Sequence, residues 1–314
     1  MKKAVKSLKA HNCTYERAVE ICEADLTPEE REEAILRVLS YGFLELARSV
    51  VAGHGGREVF PRAAAFIDRV DAGERVLAAA GLEPHGGDPR EPLAGVLVAP
   101  CLSGSDRVIV VFAGLAGEKF ALRDDLLDAP DVHLVYLRDY GPKFLLCDIP
   151  RLGGSYEACR DALADIVHEL GASRVFCLGF SAGGYASLKF GFDLRAEGVL
   201  NFSGPTTLSL ADVPGATLQK FPQIRHLSLN APHLLADMAS VYRVSPARPR
   251  VRLVFGDAHK RDRMLASRMD GIDGVELMPL EAFDGHRTFP EAIRRGVFSS
   301  HLSDLLSFRS LGDG

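Results

Sequence analysis

Apolar positions recur in two rhythms along the chain, and the change comes near residue 93. Before that point the spacing is helical. Ile35, Leu36, Val38, Leu39, Phe43, Leu44 and Leu46 fall three and four residues apart, as one buried helix face requires. Thr27-Pro28-Glu29-Glu30 opens this stretch as a capping box, with Thr27 at the N-cap, Pro28 in the first turn and Glu30 three residues on. Gly53 is its expected stop. A second helical stretch is expected over 61–80, with Gly81 just beyond it. No strand pattern is found in residues 1–92, which are expected to form a helical segment able to dock on the rest of the chain, on a protein partner or on a second copy.

From 93 onward short runs rich in Val, Ile, Leu and Phe alternate with amphipathic stretches. Strands are expected at 93–100, 107–114, 132–137, 173–180, 198–204, 251–256 and 275–280. Helices are expected at 119–128, 155–170, 183–192, 261–270 and 289–308. Nearly continuous apolar strands between helices imply an α/β fold whose mostly parallel sheet is covered on both faces. Residues 205–250 interrupt the alternation. Their Leu208, Leu210, Val213, Leu218, Phe221, Ile224, Leu227, Leu229, Leu234, Leu235 and Met238 either form a small helical cap insertion over a pocket or pack the neighbouring helices down. The expected division is therefore 1–92, and 93–314 with the insertion.

Composition narrows the function classes. A formal charge of -5 over 314 residues gives no electrostatic reason to expect nucleic acid as a partner. The six cysteines form no C-x-x-C and none pairs with histidine at zinc spacing, a pattern that suits a reducing compartment. The basic N-terminal stretch lacks an apolar core, and no run approaches a membrane span. A cytoplasmic protein is the expectation. No G-x-G-x-x-G follows a strand and no Gly-Lys-Ser/Thr closes the glycine-rich run at 114–119, so neither a cofactor nor a metal is expected.

One serine stands apart. Gly179-Phe180-Ser181-Ala182-Gly183 matches G-x-S-x-G, with an expected strand before it and an expected helix after it. Such a turn lifts a serine hydroxyl clear of the sheet, and the following helix aims its first N–H groups at developing negative charge. A serine hydroxyl needs a base. His286 lies in a loop after the last expected strand, and it is the downstream histidine best placed to serve. The acid should follow the penultimate strand, where Asp257 and Asp262 compete, with Asp262 favoured slightly because it reaches in from the loop. The oxyanion donors are expected to be Ala182 N–H and a backbone N–H from the loop after VVFAG, Leu115 with Gly114 beside it.

Over about 93–308 the chain resembles the α/β-hydrolase superfamily. The match rests on LGFSAGGYASL, VVFAGL, VFGDAHKRD and DGHR. The resemblance implies a Ser181–His286–Asp262 (or Asp257) triad and an acyl-enzyme formed from a small-molecule acyl substrate. The expected function is a serine hydrolase of the esterase or thioesterase kind. The alternatives are an acyltransferase using the same triad, or a catalytically silent accessory protein on the same fold. The first 90 residues lie outside that pattern, and the sheet is expected to have fewer than the superfamily's usual eight strands.

Overall fold

The computed structural model describes residues 13–85, 88, 90–114, 119–122, 124–127, 131–139, 144–212 and 222–309. The N-terminal helices are α1 (Tyr15–Glu23), α2 (Pro28–Ser40), α3 (Leu44–Gly53), α4 (Gly56–Val59) and α5 (Pro61–Ala79). Both halves of the expected capping box are present on α2: Thr27 Oγ1 accepts from Glu30 N–H, and the Glu30 carboxylate accepts from Thr27 N–H. The helix expected to run to Gly53 instead breaks at Tyr41–Phe43. Gly42 adopts φ +93°, and a Cβ there would lie 2.8 Å from the Arg138 guanidinium and 2.9 Å from Leu93 N. Periodicity continues across the break because both helices bury the same side, so the apolar pattern alone does not reveal it.

All seven expected strands form: β1 (Val96–Ala99), β2 (Arg107–Phe112), β3 (His133–Leu137), β4 (Arg174–Phe180), β5 (Gly198–Phe202), β6 (Arg250–Gly256) and β7 (Val275–Leu280). They make one sheet in the order β1-β3-β2-β4-β5-β6-β7. Only β1 runs antiparallel, against β3. Between and after the strands lie α6 (Asp124–Leu127), α7 (Tyr156–Glu169), α8 (Ala182–Asp193), α9 (Pro222–Asn230), α10 (Met238–Val244), α11 (Lys260–Ser267), α12 (Thr288–Arg294) and α13 (Phe298–Ser307). The helix expected over 289–308 is divided in two at Gly296, φ +70°.

Alternating strand residues feed two apolar clusters. On one face Val108, Val110, Val199 and Val251 pack with α7, α8 and Leu208, Ile224, Leu227, Leu234 and Met238. The described part of 205–250 is thus packed onto α8, where Tyr185 OH lies 2.7 Å from Leu234 O, and Tyr242 OH donates to Leu188 O. Val213, Leu218 and Phe221 lie outside the described residues. On the other face Ile109, Val111, Leu134, Tyr136 and Leu178 share a cluster with α2, α3, α5 and α13. Helix α5 lies directly on edge strand β1: a Cβ on Gly73 would sit 1.9 Å from Val98 O. Arg69 of α5 donates to the carbonyls of Ala99, Pro100 and Val132, closing the end of that edge. No helix among the described residues is long and apolar enough to cross a membrane.

His133 at the start of β3 is buried as one neutral tautomer. Its Nδ1 accepts Cys101 N–H at 3.1 Å, so Nε2 carries the proton and donates to Ser105 O at 2.9 Å. Protonation would set two N–H groups against each other, and burial holds this imidazole below its ordinary value. The folded chain therefore takes up this proton at lower pH than the unfolded chain does. Stability is full above the unfolded value of about 6.5 and is lost as pH falls toward the folded one. Thermal denaturation is expected to show a lower midpoint at about pH 5 than at pH 7.5, with a smaller drop in His133→Gln.

Candidate functional site

The carboxyl ends of the central strands lie level. Phe112 of β2 pairs with Gly179 of β4, and Phe180 with Phe202 of β5. Ser181 follows at the mouth of β4 with φ +50° and ψ -118°, a conformation that side-chain-bearing residues adopt only when their surroundings impose it. The surroundings are visible. Ser181 N–H donates to Phe202 O, and Ser181 O accepts from Gly184 N–H. A Cβ on Gly179 would lie 2.4 Å from Gly183 O, and one on Gly183 would lie 2.3 Å from both Phe112 O and Ala113 O. The two glycines of the motif let α8 descend onto the strand ends, and the serine is carried upward by that descent.

Ser181 Oγ lies 2.7 Å from His286 Nε2. On the far side of the ring His286 Nδ1 is 2.8 Å from Asp262 Oδ2 and 3.1 Å from Oδ1. A carboxylate only accepts, so Nδ1 carries the proton and Nε2 is left to accept from the hydroxyl. Asp262 stands in the first turn of α11 and is buried, whereas His286 is part-exposed in the loop between β7 and α12. Asp257, the other carboxylate weighed from the sequence, is turned elsewhere: its Oδ1 accepts from Phe283 N–H at 3.2 Å. With Ala258 N–H donating to Phe283 O, that contact locks the loop after β6 to the loop carrying His286.

Ala182 opens α8, so its N–H is among those without an acceptor inside the helix. Gly114, at the end of β2, comes close to the serine: a Cβ there would be 3.2 Å from Phe180 O and 3.6 Å from Ser181 Cβ. Leu115 lies outside the described residues.

Four supporting residues were not anticipated from the sequence. Asn201 of β5 is buried; its amide donates to Gly184 O, and its Oδ1 accepts from Gly204 N–H, tying the first turn of α8 to the end of β5. Ser203, at φ +50°, accepts from Thr288 Oγ1 at 3.0 Å, and Thr288 N–H donates to His286 O, so the histidine loop is pinned to the same strand end. His259 caps α11 by accepting Asp262 N–H on Nδ1. A buried Asn in an otherwise apolar strand was the one signal available for Asn201. Nothing in the sequence distinguishes Ser203, Thr288 and His259 from ordinary loop and helix-end residues.

Serine after the fourth strand, carboxylate after the sixth and histidine after the seventh stand over one mixed sheet with an antiparallel first strand. Among solved structures, the capsule O-acetyltransferase of Neisseria meningitidis serogroup A has a similar fold, with a TM-score of 0.51 and 13% identity, covering 72% of this chain and 99% of that one. The chain has the α/β-hydrolase fold. Other solved structures similar to it include MenH from S. aureus (TM-score 0.48, 11% identity, 68% of this chain and 98% of that one) and an α/β hydrolase from the metagenome of lagoon sediments of Mar Chica, Morocco (TM-score 0.44, 15% identity, 72% and 95%). No family model and no curated protein matches the sequence. Against the usual eight strands of the α/β-hydrolase fold, this chain has seven in its described residues.

Proposed function

We propose that the protein is a serine hydrolase acting on an ester, thioester or amide. The observation that carries this reading is the unbroken chain from Ser181 Oγ through His286 to the buried Asp262, with the serine held at a positive φ. In the proposed reaction Ser181 Oγ bonds to the substrate carbonyl carbon while its proton passes to His286 Nε2. Asp262 stabilises the imidazolium through Nδ1–H. The carbonyl oxygen becomes an oxyanion held by Ala182 N–H, with a second donor from Leu115 or the adjoining Gly114. Collapse breaks the bond to the leaving group, which departs with the proton from Nε2. Water, deprotonated by the same nitrogen, then releases the acyl group.

An acyl acceptor seated in place of water would make the same intermediate an acyltransferase. The partition of product with rising concentrations of an added alcohol separates the two. An accessory role on a silent fold is disfavoured by a geometry that leaves no member of the chain missing or misdirected.

The test is labelling by a fluorophosphonate probe. Wild-type protein is expected to label, and both Ser181→Ala and His286→Ala to lose labelling. Well-folded wild-type protein that labels with neither large nor small probes overturns the reading.

A further inference from the structure

Asp262 serves two histidines, and only one of them belongs to the proposed relay. Besides the 2.8 Å contact with His286 Nδ1, its Oδ2 lies 3.2 Å from His259 Nδ1. His259 Nδ1 also accepts the Asp262 N–H at 3.3 Å, so in that role it presents a lone pair, with no proton between it and the carboxylate oxygen. A lone pair and an anionic oxygen that close repel each other; a cation between them would reverse the sign, with the His259 lone pair turned from Asp262 N–H to the ion. One ligand atom from each of His259, Asp262 and His286 lies within 4.8 Å of the other two.

We propose that His259, Asp262 and His286 form a binding site for a borderline transition-metal ion, zinc foremost, and that its occupancy switches the serine off. The switching rests on the hydrolase reading; the binding does not. Two imidazole nitrogens and one carboxylate oxygen are the donors that zinc takes at about 2.0–2.2 Å, which sets tetrahedral ligand atoms roughly 3.3–3.5 Å apart. The 3.2 Å from His259 already matches that spacing closely, while the 2.8 Å from His286 is about 0.5 Å short of it and must open as the rings rotate. Nitrogen donors exclude magnesium and calcium, which want oxygen. The histidines are the exposed members, with side chains 27% and 41% accessible, while Asp262 lies behind them at 2%, so an ion arriving from solvent meets the imidazoles first.

The chemical consequence follows from the tautomer. Zinc on His286 Nδ1 takes the lone pair that ring nitrogen gains when its proton leaves, and in the neutral ring that proton then resides on Nε2. Nε2 becomes a donor toward Ser181 and can no longer accept the hydroxyl proton. No proton is lost overall and no bond to carbon changes. The base is simply presented with the wrong nitrogen protonated.

The experiment titrates zinc into the full chain by calorimetry, using Ser181→Ala so that binding is read without reference to activity. In parallel, fluorophosphonate labelling of wild-type protein is followed with zinc, with zinc then chelator, and with magnesium or calcium. One zinc per chain is expected. Labelling should slow at least tenfold at saturation and recover with chelator, while magnesium and calcium leave it unchanged. His259→Asn keeps a good N-cap on α11 and removes the imidazole. It is expected to weaken zinc binding by at least roughly tenfold. It should also bring the ratio of labelling with and without zinc close to one. His286→Asn should weaken binding similarly in the calorimeter. Absence of binding to Ser181→Ala, or binding that survives both histidine changes, overturns the proposal and leaves the hydrolase reading intact. Zinc binding lost in both variants, in a chain that never labels even after chelation, supports the site and sinks the hydrolase reading instead.

Discussion

Asp262→Asn is expected to lower turnover of an activated aryl ester by about 10⁴-fold with little change in KM. The amide at 262 would present its N–H₂ to His286 as readily as its oxygen. The ring would then settle with its proton on Nε2, facing Ser181, the one tautomer that cannot act as base. Because Asp262 is buried beside His286 at 2.8 Å, no water readily replaces the carboxylate. Asp257→Asn is the matched control. Its side-chain oxygen still accepts Phe283 N–H, so the interlocked loops survive and activity should fall by a few-fold at most. Steady-state rates on the two variants decide the matter, and equal losses would mean that Asp262 is not the anchor of the base.

Gly183→Ala is expected to cost both stability and reactivity. The added methyl would lie 2.3 Å from the carbonyl oxygens of Phe112 and Ala113. Those oxygens belong to backbone at the end of a central strand, so relief requires α8 to lift from the sheet. Overpacking of this kind costs about 3 kcal/mol or more when backbone has to move. For a chain of this size that corresponds to a fall in melting midpoint of roughly 5 °C. Lifting α8 also tilts Ser181 away from His286, so the surviving folded protein should label more slowly. Gly154→Ala, where the added methyl meets nothing within 4 Å, should stay within about 0.5 kcal/mol of wild type.

The strands were legible because each is a short apolar run between turn residues, and a sheet buried on both faces writes that pattern plainly. Ser181 and His286 were legible because a strand–turn–helix with glycines two residues either side, and a histidine after the last strand, are local patterns. The choice between Asp257 and Asp262 was not. Both follow β6 within six residues, and which one faces the histidine depends on where α11 begins, set in turn by His259 at its N-cap. Asn201 and Thr288 act across 17 and 85 residues of sequence, on Gly184 and Ser203, and no spacing rule reaches that far. The break at Gly42 was hidden for a related reason. Its cause is Arg138 and Leu93, which the chain brings back from far downstream.

The shared cluster between the N-terminal helices and one face of the sheet has a consequence for how the molecule is made. On a ribosome α1 to α5 emerge before the sheet, with Leu39, Phe66 and Val70 already turned to a surface that does not yet exist. Ile109, Val111 and Leu134, which complete that surface, are synthesised tens of residues later, and Phe298 and Leu302 at the far end of the same cluster more than two hundred later. At about 5–20 residues per second the nascent helices would wait many seconds with their apolar faces uncovered. The early part of this chain is therefore the part with the most to gain from a chaperone, and a truncated message would leave an adhesive product rather than a small stable one.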